Sequence, residues 1–301
     1  MNPRGLVIGA SGQLGRALCA VLRDTHEVIE GVHRLPRTDQ VCIDLGKPAE
    51  MIATIQALKP ARIFIAGAFC NVDRAETDHA ECFAVNMEGP RAIAAYAQAH
   101  GCTVVYYSTD TVFDGTKERY IESDPACPMN VYSQSKAQGE AAIRTLLPTH
   151  HLILRTAWLY GPDEAKRNFI LRLVEQLRAG QRVVVPADQW GSPTYTEDLA
   201  AATRFLVERG QSGTFHATGP DFLDRASLAR RICASFDLDA RLVAPAPTSQ
   251  MGQAALRPLR IQLDCQKLRA LGIGEFRGIN AGLEALRHAS ANDAETAPMA
   301  R

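Results

Sequence analysis

Nowhere in the 301 residues does an apolar run approach the ~20 residues that a membrane span needs. The first such run, Leu6-Val7-Ile8-Gly9 behind a single arginine, is too short for the core of a signal peptide. A cytoplasmic protein with no membrane partner is expected. Net charge is missing as well, since 33 lysines and arginines balance 33 aspartates and glutamates. A zero balance offers no long-range attraction to nucleic acid or an anionic surface, so no nucleic-acid partner is expected. Any charge on a ligand must be met by local groups. Paired cysteines are lacking too. Cys19, Cys42, Cys70, Cys82, Cys102, Cys127, Cys233 and Cys265 lie far apart, with no C-x-x-C among them. Reduced thiols in an apolar core are expected, ahead of zinc or disulfides.

What is present is apolar material, 46% of the chain, arranged in short runs that alternate with helical patterns. Leu6–Ala10, Glu27–His33, Arg62–Gly67, Thr103–Tyr107 and His151–Ala157 read as five buried strands. Helices are expected at Gly12–Arg23, Ala49–Leu58, Glu81–Ala99 and Tyr132–Leu147, the third stopped by Gly101 and the fourth by Pro148. Such alternation implies parallel pairing with right-handed crossovers. The fold class is α/β, a doubly wound, Rossmann-like parallel sheet. After Tyr160 the pattern loosens, with helices at Phe169–Ala179, Thr196–Glu208 and Ser227–Phe236 and strands at Arg182–Pro186 and Thr214–Ala217. Residues 1–160 are expected to form the dinucleotide-binding region, with parts of the later chain packed on it. Residues 161–287 form mainly a smaller C-terminal substrate-binding lobe, and 288–301, poor in residues to bury, form a frayed tail.

The first strand–helix joint reads Gly9-Ala10-Ser11-Gly12-Gln13-Leu14-Gly15. Glycines permit a tight turn and let a phosphate approach the backbone, and the helix start adds free N–H groups and a positive dipole end. Gly9, Ser11, Gly12, Gln13, Leu14 and Gly15 are therefore cofactor candidates. The second strand closes on His33 and Arg34 where a ribose-binding carboxylate is usual. Arg34 would pair with the 2′-phosphate of NADP, so NADPH is favoured and NADH left open. Asp44 is expected against the adenine, and Leu45, Ala66, Gly67 and Ala68 are assigned to the same cofactor site.

Tyr132 and Lys136 stand four residues apart, on one helix face. That spacing alone suits a solvated surface. Their position sharpens it, because this helix follows the strand that ends in Ser108-Thr109-Asp110, and ligands of open parallel sheets sit beyond such strand ends. In reduction of a ketone, Tyr132 gives the proton. A Lys136 cation would lower the phenol from its usual ~10 and bind the nicotinamide ribose, while Thr109 orients the substrate oxygen.

These residues belong to a wider pattern: GASGQLG at 9–15, NVDRAE at 71–76, VNMEGP at 85–90, YSTDTVFDG at 107–115 and NVYSQSKAQGE at 130–140. RTAWLYG at 155–161, NF at 168–169, DQWGSPT at 188–194 and RPLRIQLD at 257–264 complete it. From about residue 4 to 272 the chain resembles the extended short-chain dehydrogenase/reductase family, in its branch of nucleotide-sugar ketoreductases. The resemblance implies reduction of the 4-keto group of a dTDP-linked 6-deoxy sugar. It implies catalytic roles for Thr109, Tyr132 and Lys136, and substrate roles for Cys70, Val72, Asp110, Trp158, Asn168, Gln189 and Arg257. It leaves a homodimer open. The glutamate that would help hold an interface Mg²⁺ is absent from Gly15-Arg16-Ala17-Leu18, so no metal is expected. Cys70 stands where the family has Thr or Ser, and Ile261 where a Ser is usual. Thr111 after Asp110 argues against a dehydratase. An epimerase, and a non-catalytic NADP-binding regulatory subunit, stay open.

Overall fold

In the computed structural model, residues 2–34 and 36–296 are described. Apolar runs set its central layer. Leu6, Val7 and Ile8 are all buried, as befits a strand covered by helices on both faces. The strands are β1 (Arg4–Ile8), β2 (Glu27–Val32), β3 (Gln40–Cys42), β4 (Arg62–Ile65), β5 (Thr103–Thr109), β6 (His151–Thr156) and β7 (Gly213–His216). They pair in parallel in the order β7-β6-β5-β4-β1-β2-β3. The order reverses between β1 and β4, so a crevice opens there at the carboxyl ends of the strands.

The longer helices are α1 (Gln13–Leu22), α2 (Pro48–Leu58), α3 (Gly89–His100), α4 (Val131–Leu146), α5 (Phe169–Arg178), α6 (Thr196–Glu208), α7 (Arg225–Phe236) and α8 (Ile279–Thr296). Leu14, Leu18 and Leu22 put α1 on one face of the sheet beside Leu199 and Leu206 of α6. Each leucine so buried stabilises the fold by about 1.5–3 kcal/mol. Ile93 of α3 and Ile143 of α4 cover the other face. A separate apolar cluster joins α5, α7 and α8 through Leu173, Ile232 and Leu283. It is framed by three two-stranded pairs, Leu159–Tyr160 with Thr194–Tyr195, Trp190–Gly191 with Leu223–Asp224, and Val183–Pro186 with Val243–Ala246. Among the described residues no helix is long and apolar enough to cross a membrane.

Several expectations need correction. β3 is an additional strand at the sheet edge, only three residues long and too short to show a period. The helix expected over Glu81–Ala99 is three pieces: His79–Phe83, a π-helical turn Ala84–Glu88, and α3. Pro90 is the cause, for it has no N–H and its ring crowds the carbonyl of Asn86. That carbonyl accepts the Tyr106 hydroxyl instead, at 2.8 Å. The later parts of the chain that join the first region are α6, packed beside α1, and β7, paired with β6. All eight cysteines are free, yet Cys42, Cys70 and Cys127 are exposed and not in the core. Where a frayed tail was expected, α8 continues to Thr296, and residues 297–301 lie outside the described ones.

Candidate active site

The chain leaves β1 through Gly9, whose φ of +87° is left-handed. A Cβ on Gly9 would lie 2.5 Å from the backbone N of Gly67, and one on Gly15 would lie 2.1 Å from the carbonyl oxygen of Gly9. Only glycine lets the ends of β1 and β4 and the start of α1 approach so closely. Gly12 begins α1 with no side-chain cap, leaving the positive helix end open to an anion. Ser11 is exposed beside it, whereas the Leu14 side chain is core and offers only main chain. Ala66 and Gly67 both donate N–H to the Ile8 carbonyl at 2.9 Å, with half-buried Ala68 following. This cradle, which a Cβ would fill, fits a dinucleotide diphosphate.

Around it, Leu45 is buried. Asp44 accepts from Gly46 N at 2.9 Å and faces His33 at 3.5 Å, so its carboxylate is partly committed to the turn. Arg34 is exposed just beyond β2, with neither a hydrogen bond nor an ion pair among the described residues. Gln13 points its side chain away from the cradle. Its Nε2 donates to Leu159 O at 3.4 Å, and its Oε1 accepts from Asn168 Nδ2 at 3.1 Å.

The reacting groups come from β5 and α4. Asn130 caps α4, its Oδ1 accepting from Ser133 N at 2.8 Å, and this cap fixes where Tyr132 emerges. Lys136 is only 1% exposed, which rules out a solvated helix face. Its Nζ donates to Tyr107 O at 2.7 Å and lies 3.9 Å from the centroid of the Tyr106 ring. Burial lowers Lys136 to about 8. Tyr132 moves the other way. Burial, with the fields of Cys70 and Asp110, pushes its phenol well above the usual range, and the Thr109 hydroxyl opposes this only weakly. The expected lowering by Lys136 is therefore overridden. Thr109 Oγ1 lies 3.0 Å from both Asp110 Oδ1 and Thr111 Oγ1, and Ser133 Oγ donates to Thr111 Oγ1 at 2.8 Å. Burial raises Asp110 to about 6.

Thr109, Tyr132, Cys70, Val72 and Asp110 line one cavity of about 1020 Å³, which Trp158, Gln189 and Arg257 also enter. Trp158 holds a φ of +44°, unusual for a bulky residue. Its indole lies so close to Gly191 that a Cβ there would sit 2.5 Å from the ring. Gln189 donates to Gln253 Oε1 at 2.9 Å, and Arg257 to Asp73 Oδ2 at 2.8 Å. Asn168 stands apart from these. Its Oδ1 caps α5 at Leu171 N, and its Nδ2 is shared between Gln13 and the Gly161 carbonyl, so it braces and does not line the cavity. Thr111, Phe169, Arg172 and Arg225 line the wall and were missed. Only Thr111 and Phe169 fall within quoted motifs, and nothing local marks Arg172 or Arg225.

The family model described as "RmlD substrate binding domain" matches residues 4–291. The chain is 37% identical over 293 residues to a dTDP-4-keto-6-deoxy-D-glucose reductase of Streptomyces niveus, covering 96% of this chain and 94% of that one. It is 33% identical over 303 residues to a dTDP-4-dehydrorhamnose reductase of Streptomyces griseus, covering 99% and 94%. Among solved structures, a dTDP-4-dehydrorhamnose reductase from Bacillus anthracis in complex with NADP superposes with a TM-score of 0.88. Its identity is 29%, with 96% of this chain and 100% of that one covered.

Proposed function

The chain belongs to the RmlD substrate binding domain family, and from that premise we propose that it is an NADPH-dependent reductase of a dTDP-linked 4-keto-6-deoxy sugar, with dTDP-4-dehydrorhamnose as substrate. One observation carries the reading. Thr109 from β5 and Tyr132 from α4 open on a single large cavity, with Lys136 buried one helical turn behind Tyr132.

The reduced nicotinamide, when bound, supplies the hydride. The chain's own groups do the rest. Gly9, Gly12 and Gly15 clear the way to the main chain for the cofactor's diphosphate, and Arg34 takes the 2′-phosphate. Thr109 turns its hydroxyl from Asp110 to the keto oxygen and holds it in line. Tyr132 enters the reaction as a neutral phenol, kept so by burial. The sugar alkoxide is a stronger base than a phenolate and takes its proton. Of the three donors on Lys136, one is spent on Tyr107 O, leaving two for the ribose and the phenol. Trp158 and Val72 wall the sugar, Cys70 replaces a hydroxyl there with a weaker donor, and Gln189 and Arg257 serve the nucleotide end. Eight free thiols suit the reducing cytoplasm.

The test is NADPH consumption with dTDP-4-dehydrorhamnose, run beside dTDP-4-keto-6-deoxy-D-glucose. Faster turnover of the first supports the assignment, and faster turnover of the second transfers it to that sugar. No consumption with either overturns the reductase reading.

A further inference from the structure

Behind Tyr132 and Lys136, α4 buries a third polar residue. Glu140 follows Lys136 by four residues, one helical turn on the same face, and is 0% exposed. No step of the reduction uses it, and it does not line the substrate cavity. Its carboxylate is gripped from two sides. Arg155 of β6, itself 3% exposed, donates from Nε to Oε1 at 3.0 Å and from Nη2 to Oε2 at 2.7 Å. Arg144 donates from Nη1 to Oε2 at 2.9 Å. Burial alone would raise the carboxyl, but these bonds and the Arg155 charge hold it below its ordinary value. Glu140 is therefore an anion throughout the working pH range. Arg155 in turn lies over the Phe113 ring, 5.0 Å from its centroid, with His216 beside it. Burial and the Arg155 charge lower His216 to about 4, so that ring is neutral.

A buried ammonium is unfavourable without a counter-charge. The groups around Lys136 are few. β5 offers the Tyr107 carbonyl and the Tyr106 ring, and α4 offers Tyr132 and Glu140. Cys70 approaches from the chain after β4, and Cys82 from the helix His79–Phe83. Burial raises both thiols and the phenols of Tyr106, Tyr107 and Tyr132, so all of them stay neutral. Among these groups Glu140 alone carries a full negative charge. We propose that Glu140 is the counter-ion of Lys136, a positioning residue that keeps the ammonium protonated for the phenol and the nicotinamide ribose, with Arg155 fixing the carboxylate in place. Its help is partial, since burial is the larger influence and Lys136 still sits at about 8. The consequence for turnover rests on the reductase reading above; the ion pair itself does not.

Lysine-labelled NMR of the full chain tests it. Lys47, Lys59, Lys117, Lys166 and Lys267 are exposed and Lys136 is buried, so its side-chain signal stands apart and is identified by its loss in Lys136→Arg. In Glu140→Gln its titration midpoint is expected to fall by about one pH unit from about 8, and the alkaline limb of kcat/KM to move down with it. A midpoint that stays in place or rises would overturn the counter-ion. A kcat reduced equally at every pH, with the limb unmoved, is the mark of a purely structural brace and would overturn the part in catalysis. Should Glu140→Gln fail to fold with Arg155 left unpaired, Glu140→Gln combined with Arg155→Met removes both charges and keeps a flexible stem on Phe113. A smaller fall in the same direction is then expected, and no fall overturns the proposal. Because the NMR titration is read without turnover, a protein that reduces no keto sugar but shows the fall keeps Glu140 as counter-ion and abandons only the reductase reading.

Discussion

The loop from Gly9 to Gly15 and the wall of Trp158, Arg225 and Arg257 serve neighbouring parts of one ligand site, but different parts of the chain do the binding. In the loop it is the main chain. Side chains there are absent in the glycines, turned away in Leu14 and Gln13 and short in the exposed Ser11, and the close approach of Gly15 to Gly9 makes the cradle. In the wall it is the tips of long side chains, brought from the end of β6, the start of α7 and a late irregular segment. A main-chain site needs consecutive residues, so it leaves a motif. A side-chain site needs only convergence in space, so its parts scatter over separate short motifs, as with Trp158 and Arg257, or fall in none, as with Arg225.

Four perturbations sharpen that contrast. Tyr132→Phe removes a side-chain function alone, and kcat is expected to fall on the order of 100- to 10,000-fold with NADPH affinity nearly intact. Near-normal turnover would remove Tyr132 as proton donor. Gly15→Ala attacks the main-chain site, since its Cβ would meet the Gly9 carbonyl at 2.1 Å. Its expected cost is about 1–3 kcal/mol in urea unfolding, with weakened NADPH binding. A stable variant that still binds NADPH tightly breaks the account of the cradle.

The third concerns Lys136, lowered by burial to about 8. Its ammonium is lost as pH rises through that value, so kcat/KM is expected to fall by about tenfold per pH unit above it. A profile flat to pH ~10 denies the charge a role. Stability takes the opposite sign. Between about 8 and the ordinary 10.5, the unfolded state binds the extra proton, so stability rises with pH across that window. The smallest effect is expected from Arg34→Ala, a loss of about tenfold for NADPH and none for NADH in paired titrations. Equal losses for both would reject a 2′-phosphate contact.

The same contrast explains what could be read from the sequence. β1, β5, β6 and α4 were legible because buried runs and helical periodicity are local, and the Asn130 cap and Pro148 bracket α4. Tyr132 and Lys136 gained meaning from the strand before them. β3 was hidden by its length. The break in Glu81–Ala99 was in principle visible in Pro90, but its outcome depends on Tyr106, a distant residue whose hydroxyl donates to the Asn86 carbonyl. Asn168 was assigned to the substrate site from its segment, though its amide is engaged within the protein. Arg225 left no trace, because its surroundings at Trp158 and Phe169 exist only after folding.

Gln13 belongs to both kinds of site. Its main chain opens α1 in the cradle, and its side chain holds Asn168, which caps α5 beside the substrate wall. Two ligands that bear on one residue are thermodynamically linked. Whatever free energy an occupied cradle lends to the substrate through Gln13, the substrate returns to the cofactor in equal measure.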